Sequence, residues 1–278
     1  IRGKRNGPAA KSSTNNLVER TSARMSEIQP SIERFTNRVG NYARFRPQYP
    51  LQMIGFFRSE LGLEKAHSVA DVGSGTGISA RQFLDFGNTV YCVEPNAAMR
   101  EIAERQLGHF ATFRSINATA ENTGLASGSV ELVIAAQAFH WFAEPVVASE
   151  FERILAGSGA VALVWNERSL DATLFLQEYE KLLLRYGTDY SSVRHDCITA
   201  ESLSGVFGRV FSSVSLQNIQ VLDFEGLKGR TFSSSYMPAP DESSAYAIVR
   251  ELECLFAKHA RQGKIAIFYN TDIFYTKY

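Results

Sequence analysis

The stretch SVADVGSGTGISA, residues 68–80, constrains the chain more than any other. An apolar, strand-forming run leads into Asp71, and glycine then stands at Gly73, Gly75 and Gly77. Glycine enters left-handed backbone without a Cβ penalty, so this run suits an abrupt exit from a buried strand into a helix. It also lets a ligand approach the backbone closely. For the glycines alone, a tight turn with no ligand is the plainer reading, because glycine is ordinary turn chemistry. The end of the next strand weighs against that. TVYCVE closes on Glu94, about 20 residues past the loop, where an acid can accept from the ribose hydroxyls of an adenosine.

The surrounding pattern supplies a sheet for such a site. HSVADVG reads as a buried strand, 77–86 as a short helix, 89–94 as a strand, and the run from Pro95 to Gly108 as a helix. Strands at 110–116, 129–136 and 159–166 follow, with an amphipathic helix over EPVVASEFERILAG between the last two. Strands alternating with helices imply parallel pairing through right-handed crossovers. Beyond residue 166 the spacing predicts a helix over 171–187, a strand over 213–223, a helix over 241–261 and a strongly β-forming end, KIAIFYNTDIFYTKY. FEGLKGRTFSSSYMP, 224–238, reads as a solvated loop that is basic and rich in hydroxyls.

Composition bounds the partners. The chain has 278 residues, 29 basic and 29 acidic side chains, and zero formal net charge. That balance argues against nucleic acid as a partner. No apolar run is long enough to span a membrane. The three cysteines, Cys92, Cys197 and Cys254, lack metal-ligand spacing and suit reduced thiols in a cytoplasmic protein. His195, Asp196 and Cys197 are adjacent in sequence, which disfavours a shared ion, so no metal site is expected. The sequence does not give the oligomeric state. The polar N-terminus has no apolar core and is not read as a secretory leader.

The glycine spacing is GxGxG, not the GxGxxG of dinucleotide sites. An acid just ahead of the first glycine is awkward beside a pyrophosphate and natural beside a cationic amino acid. Here the chain resembles the class I S-adenosylmethionine-dependent methyltransferases. VYCVEPNAAMR is similar to that family's second motif, and NATAENTGLASGSVELVIAAQAFHWF to its adenine loop and fourth strand. NYARFRPQYP resembles the N-terminal signature of a subgroup of methyltransferase type 11 proteins that includes trans-aconitate-methyltransferase-like members.

The resemblance implies an α/β fold, with a Rossmann-like doubly wound, mostly parallel seven-stranded sheet, an antiparallel C-terminal strand and a helical cap. It also implies an organisation: a tail or appended sequence at 1–24, N-terminal lid helices at 25–60, a cofactor-binding core at 61–168, and a cap with completing strands at 169–278. S-adenosylmethionine would be the cofactor and S-adenosylhomocysteine its product. Its expected contacts are Tyr42, Arg46, Asp71, Gly73, Ser74, Gly75, Thr76, Gly77, Glu94, Pro95, Met99, Thr119, Ala120, Glu121 and Gln137. Thr119 stands where many relatives carry an acid toward the adenine.

Tyr42 and Arg46 are four residues apart, so a helix would put them on one face as a lid. His140 is the candidate base, with Tyr42 beside the methyl site as a second catalytic candidate. His140, Trp141, Arg230 and Tyr236 are candidates for substrate contact. The bland alternatives are a packed His140, a core Trp141 and a solvated loop around Arg230. The expected reaction is methyl transfer to a small molecule, with oxygen as the favoured acceptor atom and carbon or nitrogen open. The competing classes are a non-catalytic binder of the same cofactor and a nicotinamide-dependent oxidoreductase.

Overall fold

In a computed structural model of the protein, the described residues are 39–188 and 198–278. His195, Asp196 and Cys197, with the whole of 1–24, lie outside them. The elements run α1 Val39–Phe45, α2 Gln52–Leu61, β1 Ser68–Val72, α3 Ile78–Phe86, β2 Thr89–Val93, α4 Ala97–Leu107, β3 Phe113–Ile116 and β4 Val130–Ala136. They continue with α5 Glu144–Ile154, β5 Leu155–Arg168, α6 Leu174–Tyr186, α7 Ala200–Phe207, β6 Ser212–Leu222, α8 Phe224–Phe232, α9 Ala245–His259 and β7 Ile265–Lys277.

The strands form one seven-stranded sheet in the order β3-β2-β1-β4-β5-β7-β6. All pairs from β3 to β5 are parallel, and β7 runs antiparallel to both β5 and β6. The expected fold class is thus the observed one. The chain steps outward from β1 to β3, then returns to place β4 on the other side of β1. That reversal opens a crevice at the carboxyl ends of β1 and β4, the place where such sheets take ligands.

Alternation along the strands feeds two cores. Val69, Leu132 and Ile134 pack with Met53, Phe57 and Phe83 on one face. Ala70, Val72, Val133 and Ala135 pack with Phe139, Val147 and Phe151 on the other. β5 and β7 pair continuously from Ala160↔Lys277 to Arg168↔Tyr269. They run past the end of β4, which pairs with β5 only as far as Ala136↔Val164. On this extension sits a third apolar cluster, where Ile267 and Tyr269 of β7 meet Phe175, Leu176, Leu227 and Ile248 of the helical cap.

Three segments depart from the sequence expectation. The supposed loop at 224–238 contains the helix α8, capped by Asp223, which accepts from the Gly226 N–H at 2.7 Å. Two glycines hide that helix from a propensity reading, since each costs about 1 kcal/mol relative to alanine. Helix α7 was not anticipated, although Thr199 and Ser202 form a reciprocal capping box at its start. The strand expected from residue 110 begins at Phe113, because turn bonds from Phe110 N–H to the Leu107 carbonyl and from Phe113 N–H to the Phe110 carbonyl delay it.

Gly229 explains why α8 tolerates its second glycine. A Cβ there would run into the Phe45 ring of α1. The missing side chain lets α1 dock on the cap and brings Arg46 toward Arg230. Gly229→Ala is therefore expected to loosen α1 and cost about 1–3 kcal/mol as an overpacking change. Thermal denaturation and hydrogen exchange of α1 amides would measure this. Phe45→Leu in the same chain should recover most of the loss.

Candidate functional site

Two adjoining cavities occupy the crevice. The larger encloses about 770 Å³ and is lined by Glu94, Pro95, Met99, Thr119, Ala120 and Glu121, with Trp141 and Phe142 from the segment after β4. The smaller encloses about 540 Å³. Arg46, Tyr49, Ser74, Thr76, Asn166 and Arg230 are among its lining residues. Tyr42, Gly73, Gly75 and Gln137 line both, so the glycine loop is the sill between them.

The loop's geometry revises the sequence reading. Its amides are largely committed to the chain itself. Gly73 and Ser74 both donate to the Val93 carbonyl, at 2.8 and 3.2 Å, and Gly77 donates to Ser74 at 2.9 Å. Gly75 donates to the Glu94 carboxylate at 3.0 Å. All three glycines have left-handed backbone, with φ of 70°, 55° and 83°. A Cβ on Gly73 would lie 2.6 Å from Ala138 Cβ, and one on Gly77 would collide with Leu107. A Cβ on Gly75 would meet nothing within 4 Å. Packing thus requires Gly73 and Gly77, and of the three only Gly75 has open space on its Cβ side.

Glu94 stands at the lip of the larger cavity. Its carboxylate accepts from the amides of Gly75 and Asn96, the latter at 2.8 Å. Burial raises its pKa above the ordinary value, and the two amides and Arg100 oppose the rise. Asp71 lies deeper and outside both linings. It is sealed from solvent, with Oδ2 accepting from the Ser79 hydroxyl at 2.6 Å and Oδ1 lacking a hydrogen-bond partner. Burial above all lifts its pKa from 3.8 to about 7; the Ser79 bond opposes the shift and the charge of Glu94 adds to it.

Arg46 and Tyr42 share a face as expected, with the guanidinium 4.8 Å from the ring centre. Arg46 Nη2 donates to the Ser233 carbonyl at 3.2 Å, so the lid residue touches the cap. Burial, then the nearby charge of Arg230, holds its pKa below the usual arginine value. Gln137 adopts left-handed backbone at φ 57°. Its amide donates to the Val164 carbonyl, and its Oε1 accepts from the Asn166 N–H. Gln137 thereby ties the ends of β4 and β5 together at the centre of the site.

The substrate candidates divide. Arg230 lines the smaller cavity, whereas Trp141 lines the larger one with Met99. His140 and Tyr236 line neither. His140 packs against Trp141 with ring centres 4.8 Å apart. Tyr236 sits behind Arg230 in the cap, its hydroxyl 3.4 Å from Arg168 Nη1. Sequence reading missed Asn166 and Tyr49. Asn166 had one available signal, as the first polar residue after the apolar run GAVALVW. Among the described residues, no group of His, Cys, Asp and Glu could hold a metal ion, and no helix is long and apolar enough to cross a membrane.

Comparison with known proteins places the middle of the chain. Residues 70–163 match a family model described as a methyltransferase domain. Over 165 residues the chain is 28% identical to an uncharacterized methyltransferase-like protein of Schizosaccharomyces pombe, covering 59% of this chain and 63% of the relative. Over 134 residues it is 33% identical to an uncharacterized methyltransferase of Mycobacterium tuberculosis, covering 48% and 52%. The chain thus spans about half to two-thirds the length of these relatives. A solved structure described as a candidate type II methyltransferase of Anaeromyxobacter dehalogenans superposes with a TM-score of 0.61 at 22% identity, covering 84% of this chain and 98% of that one. This match shows the fold.

Two measurements follow from this geometry. Gly75→Ala should cost only about 1 kcal/mol of stability, the price of left-handed backbone. Gly73→Ala and Gly77→Ala should each cost roughly 3 kcal/mol, because overpacking is added. Denaturant titration of the three variants checks the order. Asp71 also makes stability depend on pH. Its folded pKa is raised, so between 3.8 and about 7 the native state holds a proton that the unfolded chain has released. Stability should therefore fall as pH rises through that window, by up to about 1.4 kcal/mol per unit. Melting curves of Asp71→Asn should show a flatter profile than those of the parent.

Proposed function

We propose that this chain is an S-adenosylmethionine-dependent methyltransferase acting on a small molecule, with oxygen the favoured acceptor atom. The observation that carries the reading is the placement of Glu94. Its carboxylate stands at the mouth of a cavity with Met99 and Ala120 in the wall, beside the one loop glycine whose Cβ side is open. That arrangement suits an adenosine lying over the ends of β1 and β2, with its ribose hydroxyls toward Glu94. The adjoining cavity suits the amino-acid end, because Arg46 is in its lining and its guanidinium is matched to a carboxylate.

Bound there, the cofactor supplies an electrophilic methyl group on a sulfonium centre. The chain's own residues bind and position. Tyr42, Gly73, Gly75 and Gln137 line the passage between the two cavities, and the docked helix α1 brings Tyr42, and Arg46 just past its end, to it. Positioning and exclusion of water account for most of what such a protein must contribute. Among the lining residues of the smaller cavity there is no histidine or carboxylate side chain. This reading therefore assigns no base role to His140.

Calorimetric titration with S-adenosylmethionine and with NADH, on the parent and on Glu94→Ala, tests the proposal. The expected result is binding of S-adenosylmethionine alone, weakened about tenfold or more by the substitution, as for a lost bond to a charged acceptor. Folded protein that takes NADH instead, or neither compound, would overturn it.

A further inference from the structure

Among the described residues, the smaller cavity presents two guanidinium groups and no acid. Arg46 and Arg230 both line it, and neither pairs with a carboxylate among the described residues. Arg230 is 4% exposed, and its own neighbours prop it from behind. Its Nε donates to the Tyr269 hydroxyl at 3.2 Å and its Nη1 to the Ser234 hydroxyl at 3.0 Å. Among the described residues Nη2 has no acceptor, and it is not among the sealed buried atoms. The group is fixed in place with one edge toward the cavity.

The contrast lies next door. Arg168, at the end of β5, pairs with Glu180 of the cap at 3.0 Å. Among the described residues, the arginine that lines neither cavity has a counterion and the two that line the smaller one have none. Burial would push the Tyr236 phenol up, yet Arg168, Arg230, the Ser234 bond and Arg46 together bring it below the ordinary tyrosine value. The region is electropositive, and a buried charge without a partner is costly. Asp71 and Glu94 do not settle the account, because neither lines the smaller cavity. S-adenosylmethionine brings one carboxylate, but its ammonium and sulfonium leave it net positive. One methyl donor can satisfy one arginine and leaves the other unmatched.

We propose that the acceptor molecule is a small organic oxyanion, a carboxylate or a phosphate monoester, whose charged group is held by Arg230. This rests on the methyl-donor reading above and adds the substrate class. The neutral polar groups of Tyr42, Tyr49 and Asn166 complete the lining around that anion. Arg230 is in this reading a binding residue, matched to oxyanion geometry in a way that lysine is not.

The test uses the full chain saturated with S-adenosylhomocysteine, titrated calorimetrically with C4 to C8 mono- and dicarboxylates. Each acid is paired with its neutral methyl amide, and a parallel arm uses alkyl and aryl phosphate monoesters. At least one oxyanion should bind about tenfold or more tightly than its neutral partner. Arg230→Gln should remove that preference while leaving the S-adenosylhomocysteine affinity within about twofold, since the lost charge pair belongs to the acceptor. Whichever arm binds identifies the oxyanion.

If Arg230→Gln fails to fold, Arg230→Lys and Tyr269→Phe carry the test. Each should weaken the oxyanion and spare the neutral partner. Neutral partners binding as tightly as the anions, or no member of either arm binding, would overturn the proposal. So would Arg230 variants that lose only S-adenosylhomocysteine, because the arginine would then serve the methyl donor. If the parent binds no S-adenosylhomocysteine, the methyl-donor reading fails on its own. The same anion series on the free protein then still judges Arg230.

Discussion

The candidate site depends on a stitch between two strand ends. Three successive amides leaving β1, those of Gly73, Ser74 and Gly75, donate to the last carbonyl of β2 and to the carboxylate just after it. Parallel strands need not have their ends joined, and here they are joined by the backbone itself. The joint requires left-handed φ at Gly73 and Gly75, and residues without side chains can take it at little cost. It also fixes the Glu94 carboxylate before any ligand arrives. The second joint is at Gln137, whose backbone and side chain close β4 onto β5. Between them the crevice has a rigid floor, and variation is left to the cap above.

Much of that floor is legible in the sequence. Strand alternation, the glycine triplet and the acid at Glu94 are local patterns, and local patterns survive folding when each agrees with the global arrangement. What was not legible depends on distant neighbours. Sequence alone does not distinguish Gly77, which makes room for Leu107, from Gly75, which faces open space. The helix α8 hides behind glycines, and the purpose of Gly229 is set by Phe45, far away in the chain. Trp141 and His140 are adjacent in sequence, yet only the first lines a cavity, because the short turn after β4 rotates them differently. Asn166 matters because β5 continues past the site, and strand length is poorly marked at its ends.

Division of labour follows from the sheet. The parallel half holds the apolar walls and the buried acids nearest the crevice, Asp71 and Glu94. The cap and lid hold the arginines, and both rest on strands that outrun that half. In the proposed reaction the methyl donor would lie mainly against the first and the acceptor against the second. Relatives could then keep the donor floor and exchange the cap.

The position of β7 carries a consequence for how the chain comes to be made. It follows β6 in sequence but lies between β5 and β6 in space. Until it emerges from the ribosome, β5 offers an unpaired edge and β6 has no neighbour at all. The five parallel strands can associate early, as local pairings do. The cap cannot acquire its platform until the last strand slots between two that are already waiting. Vectorial synthesis therefore leaves an exposed sheet edge for the interval in which β6 and the helices α8 and α9 are translated, a natural point of engagement for a chaperone.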